Sequence, residues 1–573
     1  MDKNIQTLLY LQHQAHSVFI NGNLIMPTNY LVEEQNILAL LQTRLQEEAN
    51  ETYITFYDAE GNRQSLSYQA FIKKCFQTAN YLKAQGLIEE DRVATVSHNH
   101  LETAIQYFGA WCAGMTVVPI NVSETAERMK YILEDAGVKL AFVRDEYLNA
   151  IQSLNHDMKI LPTSAFQSAI AECSDEFFQN GVTDTRKQIG TTDARSTLAD
   201  LETEALIVYT SGTTGNPKGV VLTQYNLLCD AKYISEWHDL KQGDAVMCVL
   251  PIHHVNGTVV TLVTPMLYGG RVVLNQKFQT EKFFERVAEE KIKIVSVVPT
   301  LLAFLVQGDI DISQYDLSHF SHFICGAGPL TVELAAKFED RYNLKIIHGY
   351  GLSETTCYSC YLPIDLSDEE HKRMMRQYGF PSIGVPLECN EMAIWNERGE
   401  KVRAGWRGEI VIRGHNVMKG YYNNQEANLK AFEKGWFHSG DEGFFQQDEQ
   451  GRKFFFITGR LKELIIRGGV NISPLEIDEV LNRIKGVRAA IAVGFENDWY
   501  GEEVGALVHL LPDVELTKEE ILRQCAEKLP FSKQPKVVVF SDDIPVTSTG
   551  KYQRNKVKHL FEAWKSMQFK ETK

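Results

Sequence analysis

Long apolar runs are missing from this sequence. No stretch of about 18 apolar residues occurs, so no membrane-spanning helix is expected. The opening MDKNIQTLLYLQHQ lacks the basic region, apolar core and small-residue cleavage site of a signal peptide. The closing Glu571-Thr572-Lys573 matches no sorting signal, and a cytoplasmic location is expected. Positive charge is in deficit: 58 Lys and Arg against 74 Asp and Glu leave a formal net charge of −16. Such a field repels polyanions, which excludes nucleic acid as a general partner. It leaves room for a small anionic ligand held by a local Gly, Lys and Arg site. Cysteine is sparse, ten in 573 residues, and a chain of this size needs no staples. The cysteines are read as reduced thiols acting as small apolar residues, not as a disulfide framework or metal site. Repeats and low-complexity tracts are absent.

What is present alternates. LSYQAFIKKCFQTANYLKAQG (66–86) has helical spacing and a C-terminal Gly86. VATVS, MTVVPIN and KLAFV read as buried strands, separated by the helical HLETAIQYFGAWCAG and ETAERMKYILEDAG. This is the pattern of a mostly parallel sheet covered by helices. After a polar stretch (171–200), expected as surface loop or short helix, the alternation resumes with ALIVY, AVMCVL, GGRVVL, IKIVSVV, HFICG and KIIHGYG. Beyond Pro381, NEMAIW, RGEIVIRG, GWFHSGDEGFF and RKFFFITGR alternate apolar and polar residues between Gly-rich turns, as in an antiparallel sheet or small barrel. A new unit follows, with helices in LEIDEVLNRI and TKEEILRQCAEKL and strands in RAAIAVGF, VGALVHLL and KVVVF. The first forty residues show no clear period.

The strongest local signal is Tyr209-Thr-Ser-Gly-Thr-Thr-Gly-Asn-Pro-Lys-Gly219, directly after ALIVY. Its glycines let backbone approach a ligand, and its hydroxyls with Lys218 offer donors to phosphate oxygens. It is not a Walker loop, because Pro217 stands where the second glycine of GxxxxGK would be. A plain surface turn would also use Gly-Asn-Pro. The density of Ser, Thr and Gly before a lysine, after a buried strand, favours phosphate binding.

Read together with PIHHVNG (251–257), GAGPL (326–330), HGYGLSET (348–355), GWFHSGDEG (435–443), GRLKELIIRGGVNISPLEIDEVL (459–481) and PVTSTGKYQR (545–554), in this order, the loop resembles the adenylate-forming superfamily. That superfamily holds acyl- and aryl-CoA synthetases, adenylation domains of peptide synthetases and firefly-type luciferases, and the likeness is strongest to acyl-CoA ligases. It implies an α/β fold: a large N-terminal domain (1–461) of two helix-covered sheets plus a small β-barrel, and a small mobile α+β C-terminal domain (462–573). It also implies ATP, Mg²⁺ and CoA, or another phosphopantetheine thiol, as cofactors and cosubstrates of a small carboxylic acid.

Residue roles follow from the same resemblance. Thr210, Ser211, Gly212, Thr213, Thr214, Gly215 and Lys218 are expected around the β- and γ-phosphates, Glu354 as the Mg²⁺ ligand and Thr355 at the α-phosphate. Tyr350, between Gly349 and Gly351, is expected to stack on adenine, with the backbone of Gly326, Ala327 and Gly328 along the base. Asp441 suits both ribose hydroxyls, since one carboxylate has several lone pairs. Arg460 would reach ribose or phosphate. Lys551 would bond the substrate carboxylate and the α-phosphate, offsetting charge as two anions approach. Lys462 marks the hinge about which the C-terminal domain turns to present Gly468 and Gly469 to the thiol.

His254 is expected to gate the acyl channel; His253, where the family has an aromatic residue, is given no role. IHHVNGTV carries no Asp to hold an α-amino group, which disfavours an amino-acid substrate. Gly257, small where bulk would shorten a channel, hints at an extended acyl chain, with aryl and polar acids still open. An alternative acceptor is the arm of a separate acyl carrier protein; no attachment string is fused to this chain. A nucleotide-binding module without turnover is a more remote alternative, since a pure binder does not need Lys551. Lys551→Ala should therefore abolish acid-dependent pyrophosphate release while ATP binding and the melting temperature stay near those of the parent, because one exposed lysine contributes little stability. An undiminished rate would remove Lys551 from the mechanism.

Overall fold

The structure is a computed structural model that describes residues 30–154, 157–177, 200–210, 216–546 and 552–570, and the backbone of 18–20 and 23–25. Its first sheet runs Gly420–Tyr421, Lys218–Thr223, Glu204–Thr210, Thr116–Ile120, Arg92–Val96, Leu140–Val143, Lys159–Pro162. The last five strands of that order are parallel, and Lys218–Thr223 turns back antiparallel to Glu204–Thr210. Both faces are covered, which is why VATV and LAFV read as almost unbroken apolar runs. The helix Tyr68–Ala84 starts at Ser67, whose side chain accepts from Ala70 N, and ends as expected. There Gly86 has φ +86°, with Gly86 N bonded to Lys83 O and Leu87 N to Leu82 O, the Schellman pattern.

A second sheet of thirteen strands holds the parallel order Ile346–Tyr350, His322–Cys325, Ile292–Val297, Ala245–Cys248, Arg271–Asn275, Thr52–Tyr57. The alternating segments after Pro381 extend it through Cys360–Tyr361 and Ser382–Pro386 as an antiparallel strip: Lys453–Arg460, Phe437–Gln447, Gly408–Gly414, Asn390–Trp395. The strip stands in the place expected of a small barrel; among the described residues no pairing closes it. The first forty residues are less featureless than their sequence suggests. Helix Ile37–Glu47, capped by Asn36, buries Ile37, Leu38, Leu40 and Leu41. Most of the polar stretch 171–200 lies outside the described residues.

Beyond residue 464 a separate unit forms, with Val470–Ile472, Ile465–Arg467, Gly501–Leu510 and Val487–Asn497 side by side and Val537–Phe540 parallel to Gly501–Leu510. It has its own core, in which Ile477, Leu481, Ala492, Val508 and Ile521 meet. Arg554 staples it. Its guanidinium, 6% exposed, pairs with both oxygens of Asp478 and donates to Ala492 O at 2.8 Å. Removing one partner of so buried a pair costs about 3–5 kcal/mol, because the other charge is left stranded. The last turn of the chain, the 3₁₀ helix Arg554–Trp564, packs Phe561 on Phe495 and was not legible as an element in the sequence.

The ten cysteines are free, and all but Cys173 are buried. Cys357 and Cys360 stand in a C-x-x-C spacing, where the scattered cysteines were expected to hold no such pair. Burial pushes both thiols up, the opposite of what a redox or metal thiolate needs, so the apolar reading stands.

Candidate active site

The candidate site forms where the two sheets of the large domain meet. Glu204–Thr210 runs into the Ser-Thr-Gly loop and returns as Lys218–Thr223, with Thr210 opposite Lys218. Ser211, Gly212, Thr213, Thr214 and Gly215 lie outside the described residues. The short strand Gly420–Tyr421 pairs alongside and brings Tyr421 under Lys218, whose Nζ sits 4.7 Å from the ring centroid. Tyr421 donates its hydroxyl to Glu354 Oε1 at 2.9 Å. Burial and then the Glu354 charge raise the Tyr421 phenol, which keeps it a neutral donor. Lys218, Tyr421 and Glu354 thus form one continuous polar column.

A second cluster comes from strand register. Phe437–Gln447 and Lys453–Arg460 are antiparallel, with Asp441 opposite Arg460 and Arg460 Nε 3.0 Å from Asp441 Oδ1. Tyr350, at the end of Ile346–Tyr350, donates to Asp441 Oδ2 at 2.6 Å. Asp441 is 1% exposed, and its charge raises the Arg460 guanidinium further above its ordinary value. Asp441 Oδ1 accepts no hydrogen bond from the described residues, so acceptor capacity remains for a ribose hydroxyl. Gly326 follows the strand His322–Cys325, and Ala327 has φ +60°, unusual for a residue with a Cβ. Gly351 is required by space: a Cβ there would lie 1.9 Å from Cys357 O.

The turn after Glu354 holds what the sequence did not reveal. Thr356 has φ +61° and ψ −64°, and Cys357 N bonds Thr355 O at 2.7 Å: a γ-turn of the rare, strained hand. Such strain persists only where surroundings enforce it. Here Thr356 Oγ1 donates to Asn416 O at 2.6 Å, and Asn416 Nδ2 donates to Tyr358 O at 2.7 Å and to Asp230 Oδ1 at 2.9 Å. Asp230 Oδ2 accepts from Tyr358 N at 3.3 Å. Two residues on, Met418 N donates to Glu354 O at 2.8 Å. Asp230 and Asn416 are 186 positions apart and carry no local motif.

Other expected residues fall as follows. Thr355 is fully buried; its hydroxyl accepts from Leu352 N at 3.0 Å and faces Leu352 O, so it serves the turn in this arrangement. His254 begins the π-helix region Asn256–Val263, its carbonyl accepting from Thr258 N. His253, given no role, packs its ring 4.4 Å from that of His254, and both its ring nitrogens are shut from solvent without a partner among the described residues. Burial and then His254 hold it well below the ordinary imidazole range. Gly257 does not open a channel. A Cβ there would lie 2.4 Å from Pro251 O and 2.8 Å from Ile252 Cα, so its smallness is taken up by backbone packing, and the hint of an extended chain falls.

Lys462 lies exposed in the 3₁₀ turn Leu461–Glu463 that joins the two units. Gly468 and Gly469, with φ +57° and +81°, form the exposed tip of the hairpin Ile465–Arg467 and Val470–Ile472. Lys551 lies outside the described residues. Its flanks are fixed: Val546 pairs with Tyr552, and Arg554 is locked by Asp478. Among the described residues no group of three or more His, Cys, Asp or Glu is arranged to hold a metal, and no helix is long and apolar enough to cross a membrane.

Two helix-covered sheets, a lysine and a tyrosine beside a carboxylate, and a carboxylate–arginine pair beside a second tyrosine define an adenylate-forming enzyme. A family model for AMP-binding enzymes matches residues 41–422, and one for the AMP-binding enzyme C-terminal domain matches 476–551. The chain is 30% identical over 530 residues to the sulfoacetate–CoA ligase of Cupriavidus necator, covering 91% of this chain and 97% of that one. It is 31% identical over 479 residues to the oxalate–CoA ligase of Arabidopsis thaliana, covering 83% and 89%. The crystal structure of ATP-bound MatB from Rhodopseudomonas palustris matches with a TM-score of 0.78 at 25% identity, covering 92% and 99%. The chain belongs to the AMP-binding enzyme family, and within it is an acid–thiol ligase of the acyl-CoA synthetase type.

The clamp beneath Glu354 has a pH signature. Burial pushes Asp230 up to about 8. The folded chain therefore keeps a proton that the unfolded chain loses above about pH 4, and stability should fall as pH rises between roughly 4 and 8. Asp230→Asn should remove that part of the slope. Denaturant melts of both proteins across this range measure it; equal slopes would mean that Asp230 does not titrate there.

Proposed function

We propose that the protein joins a carboxylic acid to CoA in two half-reactions that use these residues. The observation that carries the reading is the convergence of Lys218, Tyr421 and Glu354 with Tyr350, Asp441 and Arg460, two clusters joined by the five residues from Tyr350 to Glu354. In the first half-reaction a carboxylate oxygen of the acid attacks the α-phosphorus of ATP and pyrophosphate leaves. Thr210 to Gly215 and Lys218 would hold the β- and γ-phosphates, Tyr350 and the backbone at Gly326, Ala327 and Gly328 the adenine, and Asp441 with Arg460 the ribose. For Thr355 to meet the α-phosphate, its hydroxyl must exchange Leu352 for a phosphate oxygen. Lys551, from the loop closed by Val546 and Tyr552, would neutralise the meeting anions. In the second half-reaction the thiol attacks the acyl carbon, AMP leaves and the thiol proton passes to solvent; His254 would border the acyl entrance.

Glu354 fits a Mg²⁺ site. One oxygen holds the Tyr421 hydroxyl, the other takes no hydrogen bond from the described residues, and a hard cation that keeps its waters needs only one carboxylate beside substrate phosphates. The ion, when bound, offsets phosphate charge. Glu354→Gln should raise the Mg²⁺ requirement and cut turnover by at least about a hundredfold. A Mg²⁺ dependence like the parent's would assign the metal elsewhere.

A pivot at Lys462 is supported by the polar character of the contacts between the two units. Glu479 accepts from Val332 N and Glu333 N at 3.2 Å each, at the start of helix Val332–Tyr342, and Arg407 lies 3.8 Å from Glu476. A turn of the unit would expose these groups and let water take the place of each partner, which an apolar interface would not allow. Turning about Lys462 would withdraw Lys551 and bring Gly468 and Gly469 to the thiol. Lys462→Pro fixes φ and should freeze one arrangement, so acyl-AMP formation should survive while thioester formation collapses. Single-turnover measurement of bound acyl-AMP and released acyl-CoA tests this; equal loss of both steps, or retention of both, would place the pivot elsewhere. The arm of a separate carrier protein is the second reading for the thiol. A cytoplasmic setting suits both.

A further inference from the structure

We infer that the acid is short, with an uncharged polar tail, and that Tyr358, held by Asn256 and Ser296, sets this limit. The inference rests on the ligase reading above and deepens it.

In open α/β sheets ligands lie beyond the carboxyl ends of the strands. Here the strands Ile292–Val297, His322–Cys325 and Ile346–Tyr350 end side by side, with Ser296 and Gly349 one residue before the ends of theirs and Gly326 one residue beyond its own. The π-helix region Asn256–Val263 packs against the first of them. Tyr350, Asp441 and Glu354 take the nucleotide on one side. The tail of an acid whose carboxylate meets the α-phosphate must then run between the glycines and Asn256.

That passage is filled. A Cβ on Gly326 would lie 2.6 Å from the Tyr358 hydroxyl, and one on Gly349 would lie 2.5 Å from Tyr361 Cδ1 and 2.8 Å from Tyr358 Cδ1. The room that two glycines leave between neighbouring strands is taken by two tyrosine rings, 4.4 Å apart. Tyr358 is fixed at both ends. Its N–H is held by Asp230, and its hydroxyl accepts from Asn256 Nδ2 at 3.0 Å, while Ser296 Oγ donates to Asn256 Oδ1 at 2.8 Å. Tyr358 and Ser296 are each 1% exposed and Asn256 is 7% exposed, so swinging the ring aside would break a buried polar network. A long chain or a bulky ring has nowhere to go.

The network also selects by polarity. It consists of a phenol, an amide and a hydroxyl, groups suited to a hydroxyl, keto or amide tail. A second carboxylate or a sulfonate would be desolvated there with no countercharge from these three groups.

The test is acid-dependent AMP release with CoA over propionate, lactate, butyrate, 3-hydroxybutyrate, acetoacetate, octanoate, ferulate, malonate and sulfoacetate. For the parent, kcat/KM for the best hydroxy or keto acid should exceed that for octanoate, ferulate and the dianions by at least about a hundredfold, the scale set by unpaired or excluded groups. Tyr358→Ala should raise the octanoate-to-propionate ratio at least about tenfold, while Tyr358→Phe should keep the length limit and lose about tenfold of the preference for 3-hydroxybutyrate over butyrate. A parent that works best on octanoate, ferulate or a dianion overturns the inference and leaves the ligase reading intact. So does a folded Tyr358→Ala with an unchanged length profile. Should that variant fail to fold, the parent and Tyr358→Phe profiles decide. A parent that binds ATP but releases AMP with no acid of the panel, nor of a wider one, overturns the ligase reading as well.

Discussion

One asparagine side chain and its backbone hold the turn after Glu354 in place. Asn416 accepts the Thr356 hydroxyl on its carbonyl and donates its amide to Tyr358 O and Asp230 Oδ1, all in a dry interior. Without these bonds the γ-turn at Thr356 would relax, since a non-glycine residue at that φ and ψ is strained. The same strand of chain then sends Met418 N to Glu354 O and Tyr421 to the Glu354 carboxylate. Backbone and side chain of the proposed metal ligand are thus both positioned from residues 416–421. Downstream of the turn, Tyr358 inherits its orientation from the same bonds and closes the floor on which the acid would rest.

The two units differ in how they are held. Inside the C-terminal unit, Arg554 and Asp478 form a buried pair that fixes the chain leaving the Lys551 loop. Between the units the contacts are polar: the buried Glu479 to a helix N-terminus, the buried Ser473 hydroxyl to Thr458 O, and Arg407 to Glu476 nearer the surface. A charge at a helix start contributes up to about 2 kcal/mol when partly buried, and a surface ion pair about 0–1 kcal/mol. A separate core in each unit and polar contacts between them would suit a pivot. The exposed link Leu461–Glu463 lies between Arg460, which pairs with Asp441, and Ile465, the first strand residue of the C-terminal sheet.

The sequence alone determined the α/β class, the strand and helix order and the family, because these follow from local pattern. Buried parallel strands read as apolar runs, Gly86 ends a helix by its freedom at positive φ, and the motif strings keep their order whatever the fold. Arg460 and Asp441 could be named as candidates for the same reason, since each sits inside a string. Tertiary structure decided what depends on contacts between distant segments. Register alone sets Asp441 opposite Arg460; Asp230 meets Asn416 across 186 positions with no motif at either end. Gly257 shows the limit most directly. In the sequence a glycine near a channel reads as open space, yet whether that space is open depends on which backbone packs against it, and here it is Pro251. Local chemistry names the groups a site can use, while the volume left among them is fixed only when the whole chain has closed around it.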